Sequence, residues 1–254
     1  MGFNMKTEWD YTDRAHTYDQ RADYSVDAIS KLVEQTNCDQ DKVVADIGAG
    51  TGKLTKMLLD SKLTVRAVEP NDNMRMYGIK NTAGDRVTWT EGVGEKTGLE
   101  NSCVYAAFFG SSFNVVNQKN TLDEVARIVV PNGWFGCMWN HRDVDDPIQR
   151  EIEGIIKSFI PNYDYGLRRQ DPTAVIETHE HFASVKHIEE RFQVSMKKTD
   201  IVSAWKSHDT LYRQSNGRFD DIINKIAECL NLEEYLVPYF TRIWFAQCTA
   251  GNNN

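Results

Sequence analysis

The stretch Val43-Val44-Ala45-Asp46-Ile47-Gly48-Ala49-Gly50-Thr51-Gly52-Lys53-Leu54 decides the fold of this chain. A short run rich in β-branched residues ends in an acid, glycine then occupies three alternate positions, and the helical pattern KLTKMLLD follows. That order predicts a strand, a tight turn and a helix. Glycine permits positive φ and leaves room for a ligand, and the helix directs free N–H groups at the turn. The stretch therefore predicts a turn that binds a cofactor.

Two acidic residues bear on which cofactor such a turn binds. The dinucleotide fingerprint G-x-G-x-x-G places its third glycine one position after Gly52, whereas the spacing here is G-x-G-x-G. Asp46 would repel a pyrophosphate and suits a ligand with cationic or hydroxyl groups. Glu69 ends a second apolar run, 63–68, where a carboxylate can accept both hydroxyls of a ribose. These residues favour a nucleoside with a positive group nearby and no pyrophosphate.

The motifs resemble those of the class I S-adenosylmethionine-dependent methyltransferases, in particular the small-molecule, trans-aconitate-type branch. The resemblance covers about residues 9–140 and rests on Asp46 to Gly52, Val68-Glu69-Pro70-Asn71-Asp72-Asn73-Met74, Gly92-Val93-Gly94-Glu95 and Tyr18-Asp19-Gln20-Arg21-Ala22-Asp23-Tyr24. It implies S-adenosylmethionine as the cofactor. It also implies an α/β fold with a doubly wound, mostly parallel, seven-stranded sheet of the Rossmann-like methyltransferase type.

The resemblance implies a role for several motif residues in holding that cofactor. Glu69 would bind the ribose, Met74 would pack on the adenine, and the turn at Glu95 would read the adenine edge. Tyr18 and Arg21 would bind the methionine carboxylate, and an aromatic side chain near the sulfonium would attract it by a cation–π interaction. The predicted cofactor-binding residues are Tyr18, Arg21, Asp46, Gly48, Ala49, Gly50, Gly52, Glu69, Pro70, Met74, Gly94, Glu95 and Phe109.

Composition agrees with a soluble enzyme that acts on a small molecule. The chain has 254 residues, which suits one domain or one domain with an insertion, and its net charge of −8 disfavours a nucleic-acid partner. The five cysteines are odd in number and form no C-x-x-C motif, which predicts reduced thiols. No apolar run reaches the length of a membrane span or of a signal peptide. We therefore expect a cytoplasmic monomer or homodimer with no membrane partner.

Strands alternate with helices up to about residue 140, which is the pattern of a parallel, doubly wound sheet. Strands five, six and seven are predicted at 134–139, 191–196 and 242–248. The long connections between them predict a helical lid over the strand ends. The predicted organisation is a cofactor-binding core at 1–140, a helical lid insertion at 141–188 after strand five, and a segment at 189–254 that completes the sheet and carries a second lid segment at 197–240.

Two histidines are the candidate catalytic residues. His141 follows strand five at the ligand-facing edge of the sheet, and His208 lies in a predicted lid helix. An imidazole at either position is suited to accept a proton from the acceptor. Arg142, Arg168 and Arg169 could hold an acidic group of the substrate. The spacing of the remaining histidines does not place two of them on one helical face, so no metal site is predicted.

The sequence thus predicts an enzyme that transfers a methyl group to a small molecule by in-line displacement. Oxygen is the preferred acceptor atom, and nitrogen or carbon are the alternatives. The segment Phe109-Gly110-Ser111-Ser112-Phe113-Asn114 replaces the Asn-Pro-Pro-Tyr-type motif, which argues against methylation of adenine or of glutamine amides. Two other hypotheses remain, a nicotinamide-dependent dehydrogenase and a non-catalytic protein that retains the fold as a scaffold.

Overall fold

The computed structural model describes residues 22–40 and 42–249, apart from the side chains of Leu167 and Arg168. Two predicted cofactor-binding residues, Tyr18 and Arg21, lie outside the described residues. Within the described part of the chain, the helices are all too short or too polar to span a membrane.

The strands of the described chain form a single sheet. They are β1 (Val43–Ile47), β2 (Thr64–Val68), β3 (Val87–Thr90), β4 (Val104–Gly110), β5 (Val129–Arg142), β6 (Phe182–Lys197) and β7 (Glu234–Cys248). Their order across the sheet is β3-β2-β1-β4-β5-β7-β6, and β7 is antiparallel to both of its neighbours. The first five strands are parallel. The predicted mostly parallel, seven-stranded α/β sheet is confirmed.

Helices connect the strands, and several of them begin with a side-chain cap. They are α1 (Val26–Gln35), α2 (Lys53–Asp60), α3 (Asp72–Asn81), α4 (Gln118–Ile128), α5 (Pro147–Phe159), α6 (Thr173–Glu177), α7 (Lys198–Lys206), α8 (Asp209–Gln214) and α9 (Phe219–Cys229), with a 3₁₀ turn at Gly166–Arg169. The Ser25 hydroxyl accepts a hydrogen bond from the Ala28 N–H, and the Asn71 side chain accepts one from the Met74 N–H. These bonds satisfy N–H groups that the first turn of a helix leaves without a partner.

Each face of the sheet is covered by its own apolar layer. Successive strand residues point to opposite faces, so Phe108 packs in one layer and Phe109 in the other. Leu32 of α1 and Leu58 of α2 cover the first face, and Val125 of α4 covers the second. The sheet is therefore buried between helices on both faces, which leaves its strand ends as the place for a ligand.

A third apolar cluster joins four helices to the end of β6 and the beginning of β7. We call α5, α7, α8 and α9 the lid helices. They contribute Ile152, Trp205, Leu211 and Ile226, which pack together with Tyr239 of β7. The lid helices therefore have a core of their own beside the strand ends.

The last three strands are longer than the sequence predicts. β5 extends beyond 134–139 at both ends, β6 begins nine residues before 191, and β7 begins eight residues before 242. The ladder between β6 and β7 runs from Phe182 opposite Cys248 to Lys197 opposite Glu234. Backbone pairing sets these bounds. The outer strand β6 carries many exposed polar side chains, so its apolar pattern is too weak to reveal its length.

The predicted lid bounds change accordingly. β6 begins at Phe182, within the insertion predicted at 141–188. β7 begins at Glu234, within the lid segment predicted at 197–240. Phe182, which the sequence places in the lid, packs against Phe135 in the core of the sheet with ring centroids 5.7 Å apart.

Candidate functional site

The glycine turn after β1 brings backbone N–H groups and bare Cα atoms to the carboxyl edge of the sheet. The N–H groups of Gly48 and Ala49 both donate to the Val68 carbonyl, at 2.9 and 3.0 Å. Gly48 has φ +69°, and a Cβ there would lie 2.5 Å from the Ser112 Cβ. Gly50 has φ +56° and faces the Met74 side chain. The turn therefore requires glycine for both backbone shape and space.

Gly52 has a different position from the other two glycines. It is the N-cap of α2 with φ +86°, and a Cβ there would lie 2.9 Å from the Thr82 side chain. It does not line the cavity described below, whereas its neighbours Thr51 and Lys53 do. Gly52 therefore serves the packing of α2 on α3, and its predicted direct contact with the cofactor stays a prediction.

Asp46 is fully buried at the end of β1. Its Oδ2 accepts a hydrogen bond of 2.6 Å from the Thr55 hydroxyl, while its Oδ1 has no hydrogen-bond partner among the described residues. Burial raises the pKa of Asp46 to about 7, and the negative charge of Glu69 adds to that effect. A buried carboxyl oxygen without a partner costs free energy unless a ligand supplies one. The site therefore suits a ligand with a donor or a positive charge.

Asp46→Asn is expected to change how stability depends on pH. The carboxyl of Asp46 has a pKa of about 7 in the folded state against an ordinary value of 3.8, so the folded state binds more protons between these two pH values. The free energy of unfolding of the parent should fall relative to Asp46→Asn as pH rises from about 4 to about 7, by up to about 4 kcal/mol. Urea unfolding at several pH values measures the difference. Exposed Asp60→Asn is the control, and a constant difference for Asp46→Asn contradicts the prediction.

Glu69 is buried at the end of β2 and bridges two loops. Its Oε2 accepts from the Gly50 N–H and its Oε1 from the Asn71 N–H, both at 2.8 Å. Burial raises the pKa of Glu69, and the two backbone N–H groups and the charge of Arg75 oppose that rise. The carboxylate is thus fixed in place beside the glycine turn, with acceptor capacity left on both oxygens.

One cavity of about 360 Å³ runs from the glycine turn to the lid helices. Most of the predicted site residues line it: Asp46, Gly48, Ala49, Gly50, Glu69, Pro70, Met74, Gly94, Glu95, Phe109, His141 and His208. At its far end it is also lined by Arg142, Tyr165, Arg169, Trp205 and Tyr239. The motifs before and after residue 140 therefore face one shared space.

Two of the lining residues are also held in place by packing or by hydrogen bonds. Phe109 is fully buried and packs on Phe113 and Phe135, so most of its surface belongs to the core. The Glu95 carboxylate accepts a hydrogen bond of 2.6 Å from the Asn117 N–H, which ties the turn after β3 to the start of α4. Both contacts stabilise the wall of the cavity.

The two candidate histidines both have a hydrogen-bond donor next to their Nδ1 atoms, which bears on where each ring carries its hydrogen. His208 is the N-cap of α8, and its Nδ1 accepts from the Leu211 N–H at 3.3 Å. The Nδ1 of His141 lies 3.4 Å from an Arg242 nitrogen, and arginine can only donate. A neutral imidazole that accepts at Nδ1 carries its hydrogen on Nε2. In the neutral form this geometry favours an Nε2–H donor at both rings, and the expected role of His141 and His208 in accepting a proton stays a prediction.

Sequence reasoning missed a polar cluster after β4. Ser111 has φ +60°, and its hydroxyl pairs with the Tyr24 hydroxyl at 3.0 Å. The Ser112 hydroxyl donates to the Ile47 carbonyl at 2.6 Å. All three side chains line the cavity. The position of the two serines at the carboxyl end of a buried strand was the available signal.

Within the described residues, the other histidines lie outside this cavity. His179 pairs with Asp123 at 3.0 Å, and His187 stacks on Trp244 with ring centroids 4.7 Å apart. The described residues contain no cluster of three or more side chains able to hold a metal ion.

Part of the chain, including the glycine turn and Glu69, is similar to known methyltransferases. Residues 45–137 match the family model described as a methyltransferase domain. An uncharacterised methyltransferase of Mycobacterium tuberculosis is 34% identical over 44% of this chain and 46% of its own length. The ubiquinone/menaquinone biosynthesis C-methyltransferase of Caulobacter vibrioides is 28% identical over 47% of this chain and 52% of its own length. The aligned region thus spans about half the length of these curated relatives.

Solved structures agree on the fold. The YcgJ protein of Bacillus subtilis superimposes with a TM-score of 0.57 over 89% of this chain and 100% of its own, at 13% sequence identity. The sheet, the glycine turn and the matched family define an α/β methyltransferase domain. Residues 45–137 are thus similar to methyltransferase domains, and the sheet has the Rossmann-like fold of solved methyltransferase structures. The narrower trans-aconitate-type branch stays a prediction.

Proposed function

We propose that this protein transfers the methyl group of S-adenosylmethionine to a small-molecule acceptor enclosed by the lid helices. The observation that carries the proposal is the single cavity, which joins Asp46 and Glu69 at one end to His208 and Trp205 of the lid at the other. A cofactor and an acceptor that share such a space are held side by side. The predicted monomer or homodimer and the predicted cytoplasmic location stay predictions.

The residues of the glycine turn fit S-adenosylmethionine. The Asp46 Oδ1 without a partner calls for a cationic or donor group, and the bare Cα atoms of Gly48 and Gly50 leave space at the turn. Glu69 would accept the ribose hydroxyls, and Met74 would pack on the adenine. When bound, the cofactor supplies a methyl group on a positively charged sulfur, which leaves with the bonding electron pair.

The protein's contribution to such a transfer is chiefly orientation. Holding acceptor and methyl group in line can supply roughly 7–11 kcal/mol of the barrier. Exclusion of water strengthens each polar contact inside the cavity. Oxygen is the proposed acceptor atom, and nitrogen or carbon remain the alternatives. His141 and His208 are the proposed catalytic residues, acting as hydrogen-bond donors to the acceptor.

A pair of variants at His141 separates a donor from a general base. Glutamine keeps a donor group, so we expect kcat/KM of His141→Gln to stay within about tenfold of the parent. His141→Leu removes the donor and should fall about tenfold further. Kinetics with a labelled methyl donor, on an acceptor found by screening, measures both. Equal losses of about 100-fold or more in the two variants would instead indicate a base.

Calorimetric titration with S-adenosylhomocysteine tests the proposed function, with NAD(P) as the comparison. We expect S-adenosylhomocysteine to bind and NAD(P) not to bind. Preferential binding of NAD(P) would support the dehydrogenase hypothesis. Absence of binding by either would support the scaffold hypothesis. Binding that is never followed by methyl transfer to any of a broad panel of small molecules would also favour a scaffold.

A further inference from the structure

Two arginines share one wall at the lid end of the cavity. Arg142 is the last residue of β5, and its guanidinium stacks on the Trp205 ring at 4.2 Å. Arg169 ends the 3₁₀ turn, and its guanidinium stacks on the Tyr165 ring at 4.1 Å. A nitrogen of Arg169 also donates to the Arg142 carbonyl oxygen at 3.4 Å. Aromatic stacking fixes each guanidinium on its own ring, and the hydrogen bond ties the Arg169 side chain to the backbone of Arg142.

Neither guanidinium has a protein counter-ion in the described structure. No carboxylate oxygen of residues 22–40 or 42–249 lies within 4.0 Å of Arg142 or Arg169. Glu153 also lines the cavity, but its carboxylate pairs with Lys157 at 2.8 Å. Burial lowers the pKa of Arg169, Tyr165 and the charge of the more distant Glu153 oppose that change, and the positive charge of Arg142 adds to it. Two partly buried cations that form no salt bridge are costly unless a ligand brings negative charge.

The same wall contains a buried donor without an acceptor. Trp205 is 3% exposed and lines the cavity. Its indole Nε1 has no hydrogen-bond partner among the described residues. An indole N–H can only donate, so this group also calls for an acceptor atom on a ligand. The aromatic rings and the donors together suit a compact molecule with one apolar face and one group rich in acceptor oxygens.

From this wall we infer that the methyl acceptor carries an oxyanion, a carboxylate or a phosphate, held by Arg142 and Arg169. The inference rests on the proposed function, because it places this molecule in the acceptor half of the shared cavity. Guanidinium groups bind planar oxyanions through paired, charge-assisted hydrogen bonds. The acceptor shares with the cofactor a cavity of about 360 Å³, which is at the small end of the range for ligand sites, so the acceptor is limited to a compact molecule. Arg142 and Arg169 are then residues that determine substrate specificity.

The test compares charged and neutral probes of one shape. Protein saturated with S-adenosylhomocysteine is titrated with benzoate, phenyl phosphate and benzamide, and binding is followed by calorimetry and by protein NMR shifts. We expect at least one of the two anions to bind about tenfold or more tightly than benzamide. Preference for benzoate or for phenyl phosphate identifies the oxyanion. If neither anion binds more tightly than benzamide, the inference is wrong.

Variants test whether the two arginines cause the preference for an anion over benzamide. Arg142→Gln and Arg169→Gln should each weaken the preferred anion about tenfold or more and leave benzamide unchanged. Arg169→Lys keeps a charge and should lose less than Arg169→Gln. Arg150→Gln is the matched control, because Arg150 lies on lid helix α5 with an exposed side chain and does not line the cavity. Anion affinity that both glutamine variants retain would overturn the inference.

Failure of the inference and failure of the proposed function give different results. Titration of the same variants with S-adenosylhomocysteine reports on the cofactor end, and thermal melting reports on folding. If S-adenosylhomocysteine binds but the anions show no preference, the acceptor class is wrong and the methyl-transfer proposal stands. If S-adenosylhomocysteine does not bind, the anion titrations are repeated on the free protein, and loss of anion preference there overturns the inference as well.

Discussion

Glu69→Ala is expected to weaken S-adenosylhomocysteine binding about 100-fold or more. The carboxylate is fixed by the Gly50 and Asn71 N–H groups at 2.8 Å each, and its remaining acceptor capacity faces the cavity that it lines. Hydrogen bonds to a charged group contribute about 1.5–3 kcal/mol each, so losing two of them to a ribose corresponds to about 100-fold or more. Calorimetry on the parent and the variant measures the change.

Two further variants separate ligand binding from loop structure. Glu69→Gln keeps the shape of the side chain, but its amide NH2 group can only donate and would replace a carboxylate oxygen that accepts from a backbone N–H. This variant should therefore also bind S-adenosylhomocysteine weakly. Glu91→Ala is the matched control, because Glu91 is an exposed carboxylate at the same edge of the sheet and does not line the cavity. If Glu69→Ala binds S-adenosylhomocysteine as the parent does, Glu69 does not hold the ribose.

Local sequence patterns predicted the first half of the molecule well. The strand, turn and helix around Gly48 follow from a β-branched run, alternate glycines and a helical period within twelve residues. Glu69 follows the second strand in the same way. Such segments are determined by nearby residues, because the strands are buried on both faces and the caps are local hydrogen bonds.

The second half depends on contacts between distant residues, which the sequence does not display. Arg142 and Arg169 are 27 positions apart, and their adjacency arises from the lid packing against the end of β5. The sequence suggested both as ligands for an acidic group but not that they share a wall. The tautomer of His141 likewise depends on Arg242 of β7, about 100 positions later in the chain.

Gly48→Ala is expected to lower the free energy of unfolding by about 2–5 kcal/mol. An alanine at φ +69° costs about 1–2 kcal/mol. Its Cβ would lie 2.5 Å from the Ser112 Cβ, and relief of that overlap costs about 1–3 kcal/mol more. Ser112 has little freedom to move away, because its hydroxyl donates to the Ile47 carbonyl. Urea unfolding measures the loss, and S-adenosylhomocysteine affinity should fall with it.

A glycine elsewhere in the chain provides the matched control for Gly48→Ala. Gly154 lies within α5, and a Cβ there would have no neighbour within 4 Å. Alanine is the better helix former, so Gly154→Ala should raise the free energy of unfolding by up to about 1 kcal/mol. Adding Ser112→Gly to Gly48→Ala removes the Ser112 Cβ that the new alanine would overlap. The double variant should recover only the part of the lost unfolding free energy that is due to this overlap. If Gly48→Ala and the parent unfold at the same urea concentration, the positive φ and the close approach of Ser112 do not require glycine at position 48, and the prediction is wrong.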